Sequence, residues 1–493
     1  MHLQHLIQDL KPLAHRGELA GLWVEGVAFD SRKVQTDFLF VAVPGTKVDG
    51  FDFIEAVLEK GAAVIITERK LTEVPESGAT VIQVEDAAAS LAILAERWYD
   101  QPSKGLKLIG VTGTNGKTTV TTLMHDLFTD LGYKCGLLST VEIRIGTEKR
   151  TATHTTPDAL SISGNLAEMA DFGVDYVFME VSSHAQSQKR TAGLHFTGGV
   201  FTNMSHDHLD YHGSFREYID AKKSFFDGLG KESFALVNID DKRGEVMIQN
   251  SKANKKRYSL RQLTDFHAKV LDNSAEGLHL TINGTEVYTQ LLGRFNAYNI
   301  LATYGTATLL GQNETEVLTS LSKLKAASGR LDILRHPQTG LTAVVDYAHT
   351  PDALENVLET LRDLLPKSSE EHKLVCVVGA GGDRDKTKRP EMAKIAARLA
   401  DYVILTSDNP RSEDPNAILD DMEAGLTGAP NWNIRREADR RKAIQLAVQV
   451  ATPRSIVLVA GKGHETYQEI KGERFPFDDK EELIKAFTQY PRN

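Results

Sequence analysis

The stretch Val111-Thr112-Gly113-Thr114-Asn115-Gly116-Lys117-Thr118-Thr119 constrains this chain more than any other. An apolar run, Leu106 to Gly110, precedes it, and a helix-compatible segment, Thr118 to Leu131, follows. Strand, glycine-rich turn and helix N-terminus in that order form a cradle for phosphate oxygens. Backbone N–H groups point inward, the helix dipole favours anions, and a lysine adds a point charge. Lys117 would reach the β- and γ-phosphates, and the Thr118 hydroxyl would sit on Mg²⁺. The strict form of the pattern has a further glycine where Val111 stands, so this loop is a relative built on Gly113 and Gly116. A plain glycine-rich turn before a surface helix is the competing reading; strand, glycine pair, lysine and hydroxyl occurring in order favour nucleotide binding.

The loop sits inside a regular alternation. Residues 1–104 hold short strand-like runs (Leu39–Val43, Ala63–Thr67, Thr80–Val84), and Gln101-Pro102-Ser103-Lys104-Gly105 reads as a linker. Across 105–330 the apolar runs Leu106–Val111, Gly136–Ser139, Tyr176–Val181, Gly198–Thr202 and Phe234–Asn238 alternate with helical patterns. Residues 331–493 repeat the rhythm with Thr342–Tyr347, Leu374–Gly379, Tyr402–Thr406 and Ser455–Ala460, and helices near 352–364, 389–400, 415–426 and 437–450. That rhythm predicts βαβ units and parallel sheets. The fold class is therefore α/β, with an N-terminal α/β domain, a central parallel-sheet domain carrying the phosphate loop, and a C-terminal Rossmann-like domain. A chain of 493 residues is too long for one core, which agrees with three.

In open α/β sheets ligands bind beyond the carboxyl ends of the strands. The polar clusters of this chain stand there. Glu180 leads into Ser182-Ser183-His184, Thr202-Asn203 into His206-Asp207-His208, and Asp346 into Tyr347-Ala348-His349. Gly379 leads into Gly381-Gly382-Asp383-Arg384, Thr406 into Asp408-Asn409-Pro410-Arg411, and Ala460 into Gly461-Lys462-Gly463-His464-Glu465. Glu180 ends an apolar run, where an ionised carboxylate is costly unless paired or bound to metal, and a Mg²⁺ ligand is the better reading. The run from His206 to His212 approaches the H-x-H-x-D-H pattern of binuclear metal sites, but Tyr211 stands where the last histidine belongs. With no companion Cys/His cluster, His208 reads as a Mg²⁺ neighbour. Gly379 to Arg384 resembles a dinucleotide fingerprint until its third glycine, which falls at Arg384; an anion site read by Arg384 fits better. Asp408 to Arg411 places an acid, an amide and a guanidinium on a proline-stiffened turn, an inventory suited to a zwitterion.

Composition limits the partners. A net charge of −10 argues against a general nucleic-acid binder. The two cysteines, Cys135 and Cys376, lie in apolar runs and read as buried thiols of a reducing compartment. No apolar run approaches the ~18 residues of a membrane span. A cytoplasmic monomer bound to neither membrane nor nucleic acid is expected.

These motifs, in this order, closely resemble the Mur ligases of bacterial peptidoglycan synthesis. The resemblance runs through Asp30-Ser31-Arg32, Thr114–Thr119, His154-Thr155-Thr156-Pro157, Glu180–His184, Asp207–His212, Gly329-Arg330, Asp346–Pro351, Gly381–Asp385, Asp408–Arg411 and Gly461–Glu465. It implies that Ser31, Thr46, Lys47 and Val48 contact a uridine nucleotide, and that Thr155, Thr156, Ser182, Gln188 and Arg190 hold a muramoyl dipeptide. It implies ATP on Gly113, Thr114, Asn115, Gly116, Lys117, Thr118 and Thr119. Asn296 and Asn299 would lie by the adenine, and Arg330, Asp346 and His349 nearer the ribose and phosphates. Lys222 matches the family's carbamylated lysine; with Thr118, Glu180 and His208 it would hold Mg²⁺, and Lys117, Lys222, His208 and Glu180 would carry the catalysis. Many relatives carry Asn where this chain has His154.

The Asp-Asn-Pro-Arg turn marks the branch of the family that adds meso-2,6-diaminopimelate to the D-Glu γ-carboxylate of UDP-N-acetylmuramoyl-L-alanyl-D-glutamate. Arg384, Asp408, Asn409, Pro410, Arg411, Gly461 and Glu465 would form that amino-acid pocket. Three alternatives stay open at this point: a lysine-adding ligase, a folylpolyglutamate synthase-like ligase, and a nucleotide switch without ligase chemistry.

Overall fold

The computed structural model describes the chain except residues 46–47, 153, 208, 275, 337, 366–371, 427–432 and 490–493. Three main sheets organise it. The first orders its strands Ala14–Arg16, Thr80–Gln83, Val64–Thr67, Phe38–Val41, Gly26–Ala28, all parallel except the first pair.

The central sheet has eleven strands. Its parallel part runs Phe266–Ser274, Asn254–Ser259, Phe234–Asn238, Gly198–Phe201, Lys107–Thr112, Tyr176–Glu180, Cys135–Leu138. The strand leading to the phosphate loop is thus in the middle, between Gly198–Phe201 and Tyr176–Glu180. Being covered on both faces, these strands read as continuous apolar runs. Helices Lys117–Asp130 and Arg294–Leu309 cover one face, and Phe215–Asp227 packs Phe225 and Phe226 on the other. Antiparallel strands extend both ends: Glu142–Ile145 and Glu148–Thr151 beyond one, Gly277–Ile282 and Thr285–Thr289 beyond the other. The alternating, polar-rich sequences of these extensions do not announce a shared sheet.

The third sheet runs Asp332–Arg335, Thr342–Asp346, Ile456–Ala460, Leu374–Val378, Tyr402–Leu405, Ile434–Arg436, parallel except for its first pair. Helices Pro351–Leu364 and Lys388–Leu399 pack on one face, and Arg440–Val450 and Asp479–Gln489 on the other. A separate hairpin, Tyr467–Ile470 with Glu473–Pro476, stands beside it.

The expected connector at 101–105 is a packed one. Pro102 and Ser103 are buried, and the Ser103 hydroxyl donates to Glu96 Oε2 at 2.5 Å. Polar composition there marks a satisfied turn and not a loose tether.

Candidate functional site

The phosphate loop is held in shape by the neighbouring strand end. Thr114 N donates to Asn203 O at 2.8 Å and Asn115 N to Asn203 Oδ1 at 3.0 Å. Thr202 Oγ1 and Asn203 Nδ2 both donate to Asn115 O, at 2.6 and 3.2 Å. Two of the N–H groups expected to face a phosphate therefore serve the loop's own scaffold. Those at the start of helix Lys117–Asp130 have no partner within that helix. Gly113 and Gly116 adopt φ of 152° and 86°, and a Cβ at either would strike Thr202 or Asn299. Close approach explains why both positions are glycine. Val111, where the strict motif has glycine, is an ordinary buried strand residue.

Lys117 Nζ donates to Gly113 O and Thr114 O at 3.0 and 2.8 Å, and Lys222 Nζ donates to the same Gly113 O at 2.8 Å. Burial lowers the affinity of both lysines for a proton, and Lys117 lowers that of Lys222 further. Lys222 faces inward from its helix, whereas the adjacent Lys223 pairs outward with Asp227. Glu180 is fully buried and accepts from Thr140 N at 2.8 Å and Thr140 Oγ1 at 3.1 Å. Thr118 Oγ1 accepts from Arg330 Nη2 at 3.0 Å.

A cavity of about 360 Å³ gathers these groups. Gly116, Lys117, Thr118, Thr140, Thr155 and Glu180 line one side, and Asn296, Asn299, Arg330, Asp346 and His349 the other. Asn299 Nδ2 donates to Asn296 Oδ1 at 2.8 Å, so the two asparagines act as one amide unit. The Arg330 guanidinium lies 4.7 Å from the centre of the Tyr347 ring. Asp346 oxygens accept from Leu331 N at 2.7 Å and Ala348 N at 2.8 Å, tying its strand end to the Gly329-Arg330 turn. His349 is buried, which holds its ring below the ordinary histidine pKa, and Nδ1 is bonded to Tyr347 O at 2.8 Å.

The set Thr155, Thr156, Ser182, Gln188 and Arg190 is also brought together. Thr156 Oγ1 donates to Glu180 O and accepts from Ser182 N, at 2.8 and 3.1 Å. Arg190 donates to Thr156 O at 2.6 Å and to Gln188 Oε1, whose amide reaches Tyr211 OH. Thr155 Oγ1 accepts from Thr140 Oγ1 at 3.1 Å. Ser31 and the exposed Val48 belong to the first sheet's turns and do not line this cavity. Thr46, Lys47 and His208 lie outside the described residues. His206 pairs with Asp385 at 3.1 Å and Asp207 with Lys388. Among the described residues no group of three or more His, Cys, Asp or Glu is placed to hold a metal ion.

A second cluster of polar side chains lies near Tyr347, whose ring is 5.1 Å from that of His464. Asn409 Nδ2 donates to Glu465 Oε2 at 2.7 Å, and Lys462 Nζ donates to Glu465 Oε2 at 3.0 Å and Asn409 Oδ1 at 3.1 Å. Buried Asp408 keeps Oδ1 without a hydrogen-bond partner, its nearest cation being Lys462 Nζ at 3.8 Å. Burial and the neighbouring Asp408 push the Glu465 carboxyl up from its usual range. Gly461 turns with φ 115° against the Asp408 carboxylate, and buried Pro410 stiffens the opposite wall. Arg411 holds φ 51°, its Nη1 donating to Gly382 O at 2.7 Å. Its backbone bridges the hairpin through Arg411 N to Glu469 O. Arg384 is exposed and donates to its own neighbour Asp383 O at 3.1 Å. Buried Arg389, at the start of the following helix Lys388–Leu399, is bound to Glu413, Asp421 and Gly381 O. The sequence reading missed Asn203, Asp352, Lys388, Arg389 and Lys462. A lysine inside a Gly-Lys-Gly turn after a strand is a signal for the last; the others become legible only through contacts across the fold.

Family models match most of the chain: Mur ligase family, catalytic domain over 24–99; Mur ligase middle domain over 111–307; and Mur ligase, glutamate ligase domain over 329–463. The chain belongs to the Mur ligase family, and its three-domain α/β fold is that family's. The sequence is 52% identical over 481 residues to the UDP-N-acetylmuramoyl-L-alanyl-D-glutamate–2,6-diaminopimelate ligase of Cytophaga hutchinsonii, covering 97% of this chain and 98% of that one. With the ligase of the same name from Bacteroides fragilis it shares 49%, over 99% of both. A solved structure of a ligase so named superposes with a TM-score of 0.70 at 34% identity, over 99% of both chains. A folylpolyglutamate synthase from Mycobacterium tuberculosis, complexed with ADP and AMPPCP, shares the fold alone, at TM-score 0.58 and 18% identity over 75% of this chain and 91% of that one.

Proposed function

We propose that this chain is an ATP-dependent, ADP-forming ligase that joins meso-2,6-diaminopimelate to the D-Glu γ-carboxylate of UDP-N-acetylmuramoyl-L-alanyl-D-glutamate in peptidoglycan precursor synthesis. What carries the reading is near-full-length identity to ligases of that name. The site agrees with it chemically. The γ-carboxylate attacks the γ-phosphoryl group of ATP, giving ADP and an acyl phosphate; the amine of diaminopimelate then displaces phosphate from the activated carbonyl. Two anions must meet in the first step, so positioned cations decide the rate. Lys117 supplies one at the cavity wall, with Arg330 opposite. Thr155, Thr156, Ser182, Gln188 and Arg190 hold the dipeptide so that its carboxylate enters the cavity from the Glu180 side. Asn296 and Asn299 face the base.

Glu180 and Thr118 offer hard oxygen donors beside the loop, a set that suits Mg²⁺. Mg²⁺ bound by Thr118, Glu180, His208 and carbamylated Lys222 would neutralise phosphate charge. Burial, with Lys117 nearby, lowers the Lys222 pKa well below its ordinary value, which favours the neutral amine, the form that reacts with CO₂. Asp408, Asn409, Pro410, Arg411, Gly461 and Glu465 form the amino-acid pocket, with Arg384 at its rim. In this reading the working domains are 1–104, 105–330 and 331–493. The enzyme acts as a cytoplasmic monomer, apart from nucleic acid and membrane; no described helix is long and apolar enough to cross one.

ADP release in an amino-acid panel tests the proposal. Release requires both the UDP-dipeptide and diaminopimelate, and lysine substitutes poorly. Equal rates with lysine reject the substrate assignment, and release indifferent to both substrates rejects ligase chemistry.

A further inference from the structure

The preceding reaction gives no part to Lys462, the cation of the second cluster. Its side chain is wholly buried, yet it follows a strand end and stands between two acids. A buried ammonium is costly unless it is paired and hydrogen-bonded. Here it donates to Asn409 Oδ1 at 3.1 Å and Glu465 Oε2 at 3.0 Å, lies 3.8 Å from Asp408 Oδ1, and sits 5.6 Å from the centre of the Tyr467 ring.

We propose that Lys462 is the positioning residue of the amino-acid pocket, fixing which carboxylate oxygens are left for the incoming zwitterion. Lys462 and Asn409 both bind the same oxygen of Glu465, Oε2, and Oε1 takes part in neither bond. The Asn409 amide is locked as well: Nδ2 serves Glu465, while Oδ1 accepts from both Lys462 and Glu469 N. Asp408 Oδ1 is left unpartnered beside them. Two carboxylates this close repel, as the raised Glu465 carboxyl records, with burial the larger cause. One ammonium between them offsets that repulsion. The pocket then presents Asp408 Oδ1 and Glu465 Oε1 as a fixed pair of acceptors for an ammonium group. Without Lys462, that repulsion would stand unopposed and Glu465 would lose one of the two donors that orient it.

The inference rests on reading this pocket as the amino-acid site. The test is steady-state kinetics of the full-length enzyme with Lys462→Met, of similar length and uncharged. The expected result is a KM for diaminopimelate raised tenfold or more, with KM for ATP and for the UDP-dipeptide within twofold of wild type. Because Lys462 acts through Glu465, adding Lys462→Met to Glu465→Gln should raise that KM little beyond Glu465→Gln alone, a non-additivity that loss of packing alone would not give. Lys462→Gln keeps a donor and is read by the same criterion if the methionine variant does not fold. Parallel rises in all three KM values, or a fall in kcat with KM for diaminopimelate unchanged, would overturn the assignment. A wild-type enzyme whose ADP release ignores diaminopimelate would instead sink the reading of the pocket itself.

Discussion

Asp479→Asn offers a quantitative check on how the amino-acid pocket is supported from below. Arg440 and Asp479 are both wholly buried and form two parallel bonds of 2.7 Å, Nε to Oδ1 and Nη2 to Oδ2. The same guanidinium donates to Ala460 O at 3.0 Å and Ser407 O at 3.4 Å. Those carbonyls immediately precede Gly461 and Asp408, so one cation ties both pocket loops to the starts of helices Arg440–Val450 and Asp479–Gln489. Asparagine keeps the shape but removes the charge and turns an N–H toward a donor. Leaving a buried cation without its partner costs about 3–5 kcal/mol. For a cooperative unit of roughly 150–250 residues, each kcal/mol moves Tm by about 2–4 °C, so the C-terminal transition should fall by about 6–20 °C. Calorimetry of the full chain is the assay, because its domains need not melt together. Replacing both partners, Arg440→Met/Asp479→Leu, should recover most of the loss, since the pair's own net worth is small beside the cost of orphaning one member. A Tm for Asp479→Asn within about 2 °C of wild type would refute the account, the cost being far below that of an orphaned buried ion.

Two other outcomes follow from the site. Lys117→Met should abolish ADP release while leaving the melting profile intact, because the side chain lines the cavity and supports no core; turnover within threefold of wild type would remove it from the chemistry. His464 has its pKa lowered from 6.5 to about 4, burial first and nearby Arg330 next. Its folded pKa is depressed, so the stability it contributes is present above 6.5 and is lost as pH falls toward about 4. His464→Gln should flatten that part of the acid limb in pH-dependent melting, and an unchanged slope would contradict it.

Local signals carried most of the fold. Phe234–Asn238 is a strand over the range its apolar run marks, and helix Lys117–Asp130 begins one residue ahead of the expected Thr118. Such elements are legible because fully buried parallel strands are apolar on both faces. The strands at 266–289 were not, since they mix buried and exposed residues and owe their place to pairing outward from Asn254–Ser259 at the end of the sheet. The same division runs through the site. Gly113, Lys117 and Glu180 announce themselves by residue type at a strand end. Asp346 was legible as a site residue, but its bonds to Leu331 and Ala348 could not be read from spacing. Arg384 and Arg389 show the limit most plainly: one stands in a loop and the other at the start of helix Lys388–Leu399, and only packing decides which is sheltered by Glu413 and which faces water.

Asn115 Nδ2 donates to Asp352 Oδ2 at 2.7 Å across 237 positions, and Arg330 reaches Thr118 across 212. The nucleotide cleft thus has walls made at very different moments of synthesis. A growing chain that has left the ribosome as far as its phosphate loop owns half a receptor. Translation must deliver the distal segments before the cleft has its second wall, so an unfinished chain lacks half of the contacts proposed for the triphosphate.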